Sequence, residues 1–277
     1  MLERYIQVVR TDAPGIARWL STPGCSRGGV GFTPAIRLGG ELAGVNPAPP
    51  QGTEPAPGGS AVLGATAIAT GLSDHEEPAA TRERLKTRFA PGAVRRMTQL
   101  GLLVGAVLGE LEPGEEDTLV YASQFGESRA LEGYLDSFPS ASPTLFQTSI
   151  HPSGAQQGLI GRQRSVREFF PLAGGAQLVA SAVQAALLAA SERALFCGGE
   201  ECGTWLVASG AASDRAFAFA LALTRTQQSG TVGRIALEPM VDATGALALA
   251  DWFEFLHNRR PFAGAVAPGW RLLLEWL

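Results

Sequence analysis

The segment Phe169-Phe-Pro-Leu-Ala-Gly-Gly-Ala-Gln-Leu-Val-Ala-Ser181 joins an extended aromatic run to an alanine-rich stretch through a turn of small residues. Val166–Phe170 has strand character, and residues 177–190 have helical composition. A strand feeding a helix through so tight a turn is the geometry of a nucleophile elbow. There a side chain at the turn sits over free helix N–H groups that stabilise its anion. The side chain offered here is Leu172, which cannot ionise. Taken alone, the segment could equally be a packing turn with no chemical role.

The pattern on either side is one of alternating strands and helices. Val94, Met97, Leu100, Val104, Leu108 and Leu111 recur at steps of three and four, predicting one helix from Ala93 that closes at Pro113-Gly114. Thr118–Ser123 reads as a buried strand, Glu127 to Phe138 as a helix, Ser142 to Gly161 as a loop running into a helix, and Ala194–Cys197 as a short strand. Farther on, Arg215 to Thr226, Gly233 to Pro239 and Trp270 to Leu277 read as strands and Ala243 to His257 as a helix. Near the start, Glu3 to Val9 suggests a strand and Ala13 to Leu20 a short helix, before a proline-rich surface loop over residues 46–60. This order predicts an α/β layered fold with a partly parallel sheet.

Composition narrows the function classes. The 277 residues hold 22 basic and 26 acidic side chains, a net charge of −4, so there is no basic surface on which to expect nucleic acid. Lys86 is the one lysine and lies in the charged run Thr81-Arg-Glu-Arg-Leu-Lys86, which excludes a phosphate-loop or Schiff-base lysine. His75, His151 and His257 have no second ligand at metal spacing, and Cys197-x4-Cys202 has no nearby partner, so neither metal nor cofactor is expected. Cys197 reads as a core residue, and the roles of Cys25 and Cys202 stay open. An odd cysteine count and no leader-like or membrane-length apolar run predict a cytoplasmic protein without a membrane span.

A series of motifs narrows the reading further. Arg95-Arg-Met-Thr-Gln-Leu-Gly101, Leu119-Val-Tyr-Ala-Ser-Gln-Phe-Gly-Glu127, Ser142-Pro-Thr-Leu-Phe-Gln-Thr-Ser-Ile-His151, Ala173-Gly-Gly-Ala-Gln177 and Leu195-Phe-Cys-Gly-Gly-Glu-Glu201 follow in order. Together they resemble the N-terminal half of β-ketoacyl-acyl-carrier-protein synthases. More narrowly, they resemble the short chain-length-factor subunits of aryl-polyene and highly reducing type II polyketide systems. The resemblance is good over residues 90–205 and poor elsewhere.

It implies a single thiolase-like α/β/α domain over residues 1–277, with a complete N-terminal half and an abbreviated C-terminal half over 206–277. It places the family's active cysteine at Leu172, and neither of the family's histidine motifs is found downstream, where only His257 occurs. The implied protein is a catalytically silent chain length factor. It pairs as a heterodimer with an active β-ketoacyl synthase and meets acyl carrier protein through that complex.

Val166, Phe169 and Phe170 would then lie at the interface, because related synthases join their sheets through the strand entering the elbow. Phe146, Thr148, Ile150 and His151 would present a loop and helix start to the partner's acyl tunnel. The alternative for Phe146 and Ile150 is core filling, and for His151 a hydrogen-bonded interface position. Two other functions remain open at this point: a divergent acyltransferase or condensing enzyme with a relocated nucleophile, and a stand-alone acyl-binding homodimer.

Overall fold

The computed structural model describes residues 61–72, 76–227 and 230–277, the first of these stretches by its backbone. The strand expected at 3–9, the helix at 13–20, the loop at 46–60, Cys25 and His75 lie outside the described residues.

The elements in chain order are β1 (Ala61–Leu72), α1 (Pro78–Leu85), α2 (Pro91–Val94), α3 (Gln99–Glu110), β2 (Thr118–Ser123), α4 (Ser128–Asp136), α5 (Pro143–Thr148), α6 (Ser153–Gly161) and β3 (Glu168–Ala173). They continue with α7 (Leu178–Leu188), β4 (Arg193–Glu200), β5 (Phe217–Thr224), β6 (Gly233–Pro239), α8 (Leu249–His257), β7 (Phe262–Ala267) and β8 (Trp270–Trp276). The strands form one eight-stranded sheet in the order β3-β2-β4-β5-β1-β6-β8-β7. β2 runs parallel to both β3 and β4, and the remaining pairings are antiparallel.

Side chains alternate across this sheet, so each inner strand feeds two cores. Val120, Phe196, Phe217, Phe219 and Leu221 face α7 and α8, where Val179, Val183, Trp252 and Phe253 complete one apolar cluster. Leu119, Tyr121, Leu195 and Cys197 face the other way, onto α3 and α6 with Leu100, Val104 and Leu159. The result is a helix–sheet–helix sandwich, the α/β/α layering expected. The C-terminal part adds β6, β7 and β8 to the edge of the same sheet and contributes a single helix, α8, to one layer.

Several boundaries differ from the sequence reading. The helix expected to run unbroken from Ala93 is two, because Thr98 adopts an extended backbone and its Oγ accepts the Gly101 N–H at 3.0 Å, making it the N-cap of α3. Val94 and Met97 keep the period because both are buried beside α3, although neither lies in it. The stretch at 142–161 holds two helices: α5, with Ser142 at its N-cap and Pro143 at its first position, and α6. Strand β7 was not foreseen, since Phe262-Ala-Gly-Ala-Val-Ala267 has little of the bulk or alternation that marks a strand.

One contact sets the spacing of the α3–α6 layer. A Cβ on Gly105 would lie 2.9 Å from the Gly158 Cα, and a Cβ on Gly158 would lie 2.7 Å from the Gly105 Cα, so the two helices touch backbone to backbone. Gly133, within α4, faces open space. Gly105→Ala should therefore destabilise by about 1–3 kcal/mol through overpacking. Gly133→Ala should instead stabilise by about 0.5–1 kcal/mol. Denaturant unfolding of the two variants gives both signs, and a neutral Gly105→Ala would mean that α3 and α6 slide apart freely.

Candidate functional site

The elbow lies at the sheet's edge. β3 is the terminal strand and pairs only with β2 among the described residues, so Pro171 is tolerated within it. The strand extends to Ala173, later than expected, and Leu172 is therefore a strand residue opposite Ala122, not a residue of the turn. The turn itself is Gly174-Gly175, with Gly174 at φ +145, and the Leu178 N–H that opens α7 donates to the Gly175 carbonyl at 3.0 Å. Leu172 is half-buried against the α7 cluster. Its side chain is a hydrocarbon at the strand end, two residues before the first glycine of the turn.

The three candidate interface residues separate. Val166 and Phe169 pack partly buried against the α3 cluster, whereas Phe170 is 42% exposed on the opposite face of the strand. Only one of the paired phenylalanines is thus available to another surface.

Beside the C-terminal ends of β2 and β4 the chain buries carboxyl groups that sequence reasoning did not single out. Glu127 Oε1 accepts the Gly154 N–H at 2.8 Å, and its Oε2 lies 3.1 Å from His151 Nδ1. The His151 ring stacks on Tyr121 with centroids 5.1 Å apart. Glu200 accepts from Ser123 Oγ at 3.1 Å and from the backbone N–H groups of Gln124 at 2.5 Å and Phe125 at 3.3 Å. Glu201 accepts from the Leu100 N–H at 3.0 Å.

Burial dominates these groups. It pushes the Glu200 carboxyl up to about 8 and that of Glu201 up to about 7, against the donors that oppose it and with Glu127 adding to the rise. The Tyr121 hydroxyl is raised well above its ordinary value, first by burial and then by the glutamates around it. Farther along α4, buried Glu132 gathers the Thr204 N–H and hydroxyl and the Leu206 N–H, and an ion pair from Arg129 at 3.4 Å. These carboxyls face inward and fasten loops. The one sign of them in the sequence was a glutamate closing Gln-Phe-Gly-Glu127 and a glutamate pair directly after an apolar strand, which ordinarily reads as a solvated strand end.

The expected tunnel residues also divide. His151 is turned inward onto Glu127 and Tyr121. Thr148 donates its hydroxyl to the Leu145 carbonyl within its own helix. Phe146 and Ile150, by contrast, are 49% and 48% exposed, which removes core filling as their role. Phe146 belongs to an apolar face built from α4 and α5, where Tyr134 bridges Phe138 and Phe146 at 5.4 and 5.3 Å and Leu131, Leu135 and Leu145 are exposed as well, while Ile150 follows α5 in the chain. Of the candidate thiols, Cys197 is buried and its pKa is pushed up by that burial, while Cys202 is exposed, with Sγ 3.3 Å from the Asp214 carbonyl. His257 ends α8 and stacks on Phe253. No described helix is long and apolar enough to cross a membrane, and the described residues hold no group of His, Cys, Asp and Glu side chains arranged for a metal ion.

No protein-family model and no curated protein matches the chain. Solved structures do. A ketosynthase (ApeO) in complex with its chain length factor (ApeC) from Xenorhabdus doucetiae matches at TM-score 0.55 and 19% identity, covering 77% of this chain and 99% of that one. The ishigamide ketosynthase/chain length factor matches at TM-score 0.45 and 11% identity, covering 66% and 68%. PksG, an HMG-CoA synthase from Bacillus subtilus, matches at TM-score 0.31 and 14% identity, covering 70% and 50%. The first of these fixes the fold as ketosynthase-like, the thiolase-type α/β arrangement.

The pKa shifts have a measurable consequence. Glu201 holds its proton more tightly folded, at about 7, than at the ordinary 4.5, so folding takes up a proton between those values and stability falls as pH rises through that window. Glu201→Gln removes this proton uptake. The thermal midpoint of the variant should decline less than that of the native protein between roughly pH 4.5 and 7. Parallel profiles would mean that Glu201 is ionised throughout.

Proposed function

We propose that this chain is a catalytically silent, ketosynthase-like chain length factor. It pairs with an active β-ketoacyl synthase in the cytoplasm and helps shape the tunnel in which an acyl or polyene chain of the highly reducing type II polyketide kind grows. Acyl carrier protein reaches it through the complex. The observation that carries this reading is Leu172: the strand, glycine turn and buried helix of an elbow are present, and the position before the turn is a hydrocarbon. Claisen condensation needs a thiolate to hold the acyl group and donors at the oxyanion formed on decarboxylation. Leu172 offers no thiolate, and His151 spends its Nδ1 on a buried carboxyl.

The pairing is supported by the surface. An edge strand with half-exposed Phe170 and a contiguous apolar face on α4 and α5 are costly for a chain alone in water. Both would be covered by a second subunit of the same fold. Exposed Cys202 favours the competing reading, an enzyme with a relocated nucleophile, and gives that reading its own test.

Incubated with an acyl donor, the isolated protein should show no covalent acyl adduct by intact mass, at Cys202 or elsewhere, and Leu172→Cys should not restore condensation. A stable adduct on Cys202, or turnover by Leu172→Cys, would replace this proposal with the enzyme.

Co-expressed with its synthase, the chain should elute as a heterodimer that Phe170→Glu abolishes while the variant alone keeps its thermal midpoint. In the same complex Phe146→Ala should lengthen the product. Because Phe146 is already half-exposed, its truncation should cost well below the ~3–5 kcal/mol of a core phenylalanine. An intact complex with Phe170→Glu would move the interface off β3, and unchanged product length would take Phe146 out of the tunnel.

A further inference from the structure

A second concave site opens on the α3–α6 layer, at the end of the sheet where β2 and β3 begin, whereas the elbow lies where they end. It is a cavity of about 290 Å³ lined by Arg88, Phe89, Glu112, Pro113, Arg162 and Arg164, with the glycines of the adjoining helix ends between them. Glu112 and Pro113 belong to the connection into β2, and Arg162 and Arg164 to the connection into β3.

Arginines dominate the lining, and they are not equivalent. Arg88 is paired with Glu110 at 2.7 Å. Arg162 is half-buried and held in place: its Nε donates to the Gly105 carbonyl at 3.1 Å, and its guanidinium lies over the Phe89 ring at 5.1 Å. It also fills the space beside Gly109, where a Cβ would lie 2.0 Å from its Cζ. Arg164 is exposed, and among the described residues neither it nor Arg162 makes an ion pair with a carboxylate.

The electrostatics agree with the geometry. The pKa of Arg162 is lowered first by burial and then by the charges of Arg88 and Arg164, with Glu110 opposing, as expected where positive charge is in excess. The bond from Arg162 to the Gly105 carbonyl, in the middle of α3, occupies one N–H of a guanidinium that has five.

We propose that this cavity is an anion site that takes the phosphate group of a small phosphate monoester, with Arg162 as the fixed donor and Arg164 closing on it from the rim. Two guanidiniums suit the oxygens of a phosphate dianion, since each can offer a fork of N–H donors. The volume exceeds that of the phosphate alone and leaves room for the esterified group beside Phe89 and Pro113, which are themselves buried. Glu112 on the rim opposes the anion and limits its affinity.

The test is thermal unfolding of the whole protein titrated with inorganic phosphate or phenyl phosphate, with ionic strength held constant by sodium chloride. A ligand that binds only the folded state raises the midpoint saturably. The native protein should show such a rise, at concentrations at least tenfold lower for phenyl phosphate than for inorganic phosphate. Arg164→Gln should weaken it at least fivefold without moving the midpoint of the free protein, and Glu112→Gln should strengthen it. Arg162→Gln, which keeps an amide able to reach Gly105, should abolish it. Equal response to the two ligands would identify free phosphate as the occupant of the same anion site. A rise that does not saturate, or that Arg164→Gln leaves unchanged, would overturn the proposal.

Discussion

The buried carboxyls of Glu127, Glu200 and Glu201 hold together the end of the molecule where function is expected. Burying a carboxyl is costly unless its oxygens find donors, and here the donors are mostly backbone N–H groups of the loops that leave the sheet. Glu200 therefore fixes the path of the chain directly after β2, and Glu127 fixes the start of α6 together with His151. Because α5 lies between these fixed points, its outward face is held in place, and Glu132 ties α4 to the loop after β4 in the same way. The apolar face made by Phe138 and Phe146 thus stands on a rigid polar base. Replacing any of these glutamates by a residue that leaves the N–H groups unpaired would loosen the face without touching it.

The sheet imposes a second constraint, through its two unlike edges. At one edge the C-terminal strands β6, β8 and β7 extend the sheet, and Leu237, Leu272 and Leu274 of β6 and β8 share a cluster with Trp252 of α8. At the other, β3 ends the sheet with its outer backbone groups unmatched among the described residues. The described C-terminal residues thus widen the one sheet.

How much of this was legible depended on whether tertiary structure overrode the local signal. The strand over Thr118–Ser123, the apolar part of a second over Ala194–Cys197 and the helix after Gly175 were readable because burial on both faces requires apolar runs. The continuation of that second strand through Gly198-Gly199 to Glu200, by contrast, reads in the sequence as its stop. β1 was not assigned from Ala61-Val-Leu-Gly-Ala-Thr-Ala, where small residues give neither bulk nor alternation. The break at Thr98 was hidden because residues on both sides of it serve the same core, so the hydrophobic period continued across a change of element. At the site, the expectation that no ionisable group precedes the glycine turn rested on one residue, Leu172. The glutamates were not legible, since a carboxylate becomes a structural tie only when distant N–H groups converge on it, and those donors lie as far as Leu100 from Glu201 along the chain.

The strand, glycine turn and helix around Leu172 are held by what α7 contributes. Val179, Ala182, Val183 and Ala186 are almost wholly buried and pack against Val120, Phe196 and Phe219, so the helix is part of the larger core whatever stands before it. The glycine turn must persist for the same reason: with Gly174 at φ +145 the chain reverses from β3 into α7 in a conformation that a side chain would strain. Leu172 packs partly buried against that core, in contact with the α7 cluster. What remains open to variation is the outside of the molecule, where α4, α5 and β3 present apolar surface.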